Sequence, residues 1–103
     1  THPPHDYYRV IPRTLDSLSD QLGPWNNVVL WLDIEFSELP ALQGAEQLLD
    51  RTLMINLETY SHLALSEIIP LLLGHGLMLY RMWNVGATPG KDAQDYIFIR
   101  VPK

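Results

Sequence analysis

Asp33, Ile34 and Glu35 form the segment richest in chemistry in this 103-residue chain. Residues i and i+2 of a strand share a face, so the two carboxylates should project together from the end of the apolar run 28–36. In open α/β sheets that end of a strand is the usual ligand crevice. Two carboxylates there could hold Mg²⁺ beside water and substrate phosphate, which makes Asp33 and Glu35 weak candidate metal ligands for a hydrolase or phosphoryl-transfer reaction. The plainer role is to mark where the strand leaves the core, with Glu35 and Glu38 favouring the N-terminus of a following helix.

The segment Leu32-Asp33-Ile34-Glu35-Phe36 resembles the first motif of the DEDD exonucleases, in which a strand ends in Asp-x-Glu. The resemblance spans five residues. That family needs two further aspartates across a longer domain, and no later segment here supplies them, so membership is not assigned. Gly86-Ala87-Thr88-Pro89-Gly90-Lys91 departs from a phosphate-binding loop in three ways. Its glycines are one residue too close, Asp92 stands where Ser or Thr would bind Mg²⁺, and a strand pattern follows. It reads as a hairpin loop. His2 and His5 flank a Pro pair, His62 lies in a polar turn and His75 sits between two glycines. No pair of them has the helical spacing of metal ligands. Serines 17, 19, 37, 61 and 66 lack a Gly-x-Ser-x-Gly context, and with no cysteine in the chain a thiol nucleophile, a disulfide and a thiolate metal site are excluded. No complete catalytic set emerges, no cofactor is implied, and the expectation is a protein that is not an enzyme.

The elements that would position these residues follow from periodicity. Tyr7-Tyr8-Arg9-Val10-Ile11 is β-prone and stopped by Pro12. Thr14 can cap a helix carrying Leu15, Leu18 and Leu22, closed by Gly23-Pro24. Residues 28–36 alternate with apolar side chains on both faces, the pattern of a central strand covered on both sides. From Ser37 a helical stripe runs through Leu42, Ala45, Leu48 and Leu49 to about Arg51 or Leu53, with Gly44 a weak point. Residues 52–58 suit either a strand or a continuation of that helix. Ser66-Glu67 opens a short helix with Pro70 near its start, and Gly74-His75-Gly76 ends it. Residues 77–85 and 96–101 read as two strands joined by the loop 86–94, an antiparallel hairpin.

The predicted fold is therefore α/β. After an extended lead-in over residues 1–6, a single small domain over 7–103 takes the order β-α-β-α-(β)-α-β-β, with a mostly parallel sheet and a C-terminal antiparallel hairpin. The apolar run 63–80 is about a membrane span in length, but Glu67, Pro70 and Gly74-His75-Gly76 interrupt it, and no leader pattern opens the chain. Composition at 47% hydrophobic and 18% charged is that of a globular chain, expected to be soluble and cytoplasmic.

Seven basic residues oppose twelve acidic ones, and ten of those acids precede residue 81. That balance disfavours a nucleic-acid partner, whose affinity rests on Lys and Arg, and suits an acidic face docking on a basic one. Tyr and Trp are over-represented at binding hot spots. Tyr7 and Tyr8 beside Arg9, and Tyr96, Phe98 and Arg100 along one face of the last strand, are the candidate partner-binding residues. If that strand lies at the edge of the sheet, its free backbone groups invite a partner or a second copy of the chain. The functional expectation is a non-catalytic protein–protein interaction or regulatory domain, self-associating through the C-terminal strand. The alternatives are the Asp33/Glu35 enzyme and an acidic inhibitor or immunity-type protein directed at a basic partner.

Overall fold

Thr14 has extended backbone angles, and its hydroxyl oxygen accepts from the Ser17 N–H at 3.0 Å, which starts α1 (Leu15–Leu22). The computed structural model describes residues 12–33, 37–59, 62–84 and 94–102. After α1 come β1 (Val28–Leu32), α2 (Glu38–Gln43), α3 (Glu46–Leu49), β2 (Thr52–Thr59), α4 (His62–Gly74), β3 (Leu77–Asn84) and β4 (Gln94–Arg100). The β-prone residues 7–11, Glu35 and the loop 86–93 lie outside the described residues.

The expected helix from Ser37 to about residue 53 is two short helices, broken at Gly44-Ala45. A long-range cap explains the break. The Asp16 carboxylate accepts from the backbone N–H groups of Gln47 at 2.9 Å and Leu48 at 2.7 Å, so α1 supplies the acceptors that the start of α3 needs. The Asp16 N–H in turn donates to the Gly44 carbonyl at 3.0 Å. A Cβ on Gly44 would lie 3.1 Å from the Thr14 Cβ, so the absent side chain lets the two segments approach. Residues 52–59 are strand rather than helix. α4 begins four residues before the expected Ser66 start, at His62, which places Pro70 well inside the helix instead of in its first turn. Pro70 and Glu67 are exposed while Ile68 and Leu72 are buried, so the apolar stripe holds α4 on the core despite the missing N–H.

The sheet corrects the expected topology. Its order is β1-β2-β4-β3, with β1 parallel to β2 and with β4 antiparallel to both β2 and β3. It is a mixed sheet, not a mostly parallel one. The C-terminal hairpin forms as expected, but β4 slots between β2 and β3 instead of standing at the edge. Both of its backbone edges are hydrogen-bonded within the sheet, so no free edge remains on it for a partner or a second copy. Among the described residues the run read as a central strand, β1, stands instead at the edge of the sheet.

One core joins the layers. Leu42, Ala45, Leu48 and Leu49 from α2 to α3, and Ile68 and Leu72 from α4, pack on Leu32, Ile55, Leu57, Leu77, Tyr96 and Phe98 of the sheet. The described helices cover that face of the sheet, so the described residues form a helical layer on a sheet. Among the described residues, no helix is long and apolar enough to cross a membrane.

Candidate functional site

Directly opposed residues on neighbouring strands share a face, so the register maps the side of the sheet that the described helices leave uncovered. One row across it holds Val29, Met54, Ile99 and Met78. The next holds Trp31, Asn56, Ile97 and Arg81. Beyond them Glu58 stands opposite Asp95, and Asp33 follows the end of β1. Val29 is 55% exposed, Trp31 68% and Met78 50%, whereas Met54, Ile97 and Ile99 are half-buried. The face thus has an apolar centre and an acidic end.

The acidic end draws on three strands. Burial raises the pKa of Glu58, and the charges of Asp33 and then Asp95 raise it further. Burial also raises that of Asp95, with Asp33 again adding to the effect. Asp33, exposed at the end of β1, is therefore the charge that both neighbours feel. Asp95 is only 7% exposed and Asn56 only 3%, and the Oδ1 atom of each finds no hydrogen-bond donor among the described residues. Buried acceptors without donors are uncommon and costly.

This arrangement sets a pH dependence. Both groups hold a proton more tightly in the folded state, so their destabilisation is absent below the ordinary carboxylate pKa and complete above the raised folded values. Asp95→Asn is isosteric and uncharged, and it should raise the melting temperature at pH 7 by a few degrees and flatten the gain seen on acidification towards about pH 4. A lower melting temperature for Asp95→Asn at pH 7, read by calorimetry, would contradict the assignment.

The sequence candidates separate on the fold. Asp33 lies at the face, but its structural companions are Glu58 and Asp95, while Glu35 falls outside the described residues together with Tyr7 and Tyr8. Phe98 is fully buried and Tyr96 is 2% exposed, its hydroxyl donating to Gln94 Oε1 at 2.8 Å. The Arg100 guanidinium is bonded to the main chain, with Nε donating to the Thr52 carbonyl at 2.7 Å and Nη1 to the His75 carbonyl at 2.9 Å. These three residues of β4 serve the interior and do not form a docking strip. Glu58 and Asp95 went unnoticed in the sequence because their meeting depends on strand register, which no local pattern reveals.

Two other features carry less chemistry. His75 Nδ1 lies 2.9 Å from Asp50 Oδ1, a surface pair with little expected effect on stability. An apolar groove of about 260 Å³ beside α4 and β3 is lined by Ile69, Leu73, Leu77, Met78 and Leu79, with no catalytic group in its wall. Among the described residues no three His, Cys, Asp or Glu side chains converge closely enough to hold a metal ion. No protein-family model matches the chain, and no curated protein or solved structure matches it either.

Proposed function

We propose that this chain is a non-catalytic protein–protein interaction domain that engages its partner through the open face of the sheet. The observation behind this reading is the set of exposed apolar side chains, Val29 and Trp31 on β1 and Met78 on β3, on a sheet face that the described helices leave uncovered. Exposed apolar surface rimmed by polar groups is characteristic of interaction sites, and tryptophan is prominent among residues that dominate binding energy. The acidic end supplies the polar rim and a preference in partner charge. Among the described residues the outer strands of the sheet are β1 and β3, so the edge-strand route through β4 is not part of the proposal.

Trp31→Ser tests the reading. Exposed positions away from special features tolerate substitution within about 0.5 kcal/mol, so the melting temperature should hardly move. Affinity for the protein that co-purifies with the tagged wild-type chain should fall about 30-fold or more, the loss expected for a hot spot of about 2 kcal/mol. Leu73→Ser, which changes an apolar residue of α4 that is 58% exposed, should leave that affinity unchanged. Wild-type affinity in Trp31→Ser, Val29→Ser and Met78→Ser alike would refute it.

A further inference from the structure

Resting on that reading, the geometry points to what the partner must carry. We propose that Asp33, Glu58 and Asp95, with the Asn56 amide oxygen, receive a cationic side chain of the docked protein, and that this side chain is arginine. The first observation is charge without a counterion. The three carboxylates come from just past β1, from β2 and from β4, and among the described residues the His75–Asp50 contact is the one acid–base side-chain pair found. No Lys, Arg or His of those residues lies within ion-pair distance of them, although Arg81 stands on the same face one row away.

The second observation is independent of charge. Asn56 Oδ1 and Asp95 Oδ1 are buried acceptors without donors among the described residues, and both residues stand on the sheet face turned away from the described helices. Asn56 is two residues from Glu58 along β2, and Asp95 is directly opposite Glu58. Two acceptors held in place this way call for an incoming group that only donates.

The spacing then chooses among cations. A divalent metal needs its oxygens together at roughly 2.0–2.6 Å from one point. No set of three suitable side chains among the described residues converges in that way. A guanidinium presents five N–H donors in a planar fan and bridges acceptors spread over several ångströms. Its surroundings suit it too. Trp31 shares a row with Asn56 and offers an exposed aromatic face for cation–π stacking. Ile97, on the other side of Asn56, offers apolar surface for the methylene stem. Lysine, with a compact and strongly hydrated charge, would use this spread of acceptors less well.

Titration of the isotope-labelled full chain with three blocked peptides provides the test: alternating Leu and Arg, the same with Lys, and the same with Gln. The Leu/Arg peptide should bind about tenfold or more tightly than the Leu/Gln peptide, a difference equivalent to about 1.4 kcal/mol. It should shift the amide signals of Asn56 to Glu58 and of Asp95 and Tyr96, and bind less tightly as salt is raised. Glu58→Gln combined with Asp95→Asn should erase the advantage of arginine over glutamine while leaving Leu/Gln binding unchanged. Equal affinity for the Leu/Arg and Leu/Gln peptides, with shifts still centred on Val29 and Trp31, would overturn the arginine assignment and leave the open-face reading standing. Shifts that avoid Val29, Trp31 and Met78 altogether would overturn both. Saturation of the same amides by MgCl₂ or CaCl₂ alone at sub-millimolar concentration would replace the guanidinium with a metal and overturn the proposal.

Discussion

Phe98→Ala should cost about 3–5 kcal/mol of folding stability, the usual range for truncating a fully buried Phe. Phe98 is 0% exposed and stands in β4 opposite Ile55 on one side and Leu79 on the other. Removing its ring opens a cavity at the junction of β2, β3 and the helical layer, where rigid neighbours cannot collapse fully. A domain of this kind has only about 5–15 kcal/mol of net stability, so urea denaturation should show a midpoint reduced by a large fraction. Phe98→Leu keeps most of the volume and should lose far less. The pair distinguishes the two possible places for this strand. Were β4 an edge carrying Phe98 to a partner, alanine would cost little stability and would remove binding instead.

The second large effect lies at Arg100. Its guanidinium donates to three main-chain carbonyls, those of Leu49 at the end of α3, Thr52 at the start of β2 and His75 just beyond α4. One side chain thus satisfies carbonyls at the ends of two helices and the start of a strand, with the positive charge at helix C-termini where it is favourable. Gly76 belongs to the same arrangement. Its φ of 81° suits glycine, and a Cβ there would lie 2.9 Å from Arg100 Nη1. Arg100→Met preserves the stem and removes every donor, leaving the three carbonyls to compete for water in a partly buried site. Each unpaired buried carbonyl costs about 1–3 kcal/mol. Because Arg100 is half-buried and water can reach part of the site, the summed loss should be roughly 2–4 kcal/mol. Arg100→Lys should recover only part of it, since an ammonium cannot span three acceptors arranged for a fork. Thermal denaturation of the two variants checks the order, and equal stability of both with the wild type would show that the three bonds contribute nothing net.

These residues also show where sequence reading succeeds. The first described helix was legible down to its Thr14 cap, because capping is local chemistry. The alternation in residues 52–58 was visible but left open, and the parallel pairing of β2 with β1 decides for a strand. The antiparallel hairpin of β3 and β4 was legible from loop length. Which side of β3 its partner would take was not, because local hairpin geometry is the same either way. A clue lay in β4 itself, where Tyr96 and Phe98 on one face and Ile97 and Ile99 on the other suit a strand flanked on both sides. The same two-faced pattern in β1 misled, since Val29 and Trp31 are apolar without being covered. An uncovered apolar residue at a sheet edge breaks the pattern on which strand placement relies, and such departures concentrate at functional surfaces.

For the site, Asp33 was legible as a carboxylate at a strand's end. Its partners were not, because Glu58 and Asp95 are 25 and 62 residues further along the chain and meet it only through the sheet. Residues this distant in sequence are brought together by register alone.

A partner bound on the sheet face turned away from the described helices would lie against Val29, Trp31 and Met78. Photocrosslinking in the producing cell tests that placement most directly, with a benzophenone amino acid placed singly at Val29, Trp31 and Met78 and, for comparison, at Leu22 and Leu73. All five positions are apolar and at least half exposed, so accessibility alone does not separate them. Positions 29, 31 and 78 should give one discrete adduct of the same mass, and positions 22 and 73 none. Adducts from Leu22 or Leu73 with none from the three sheet positions would contradict that placement.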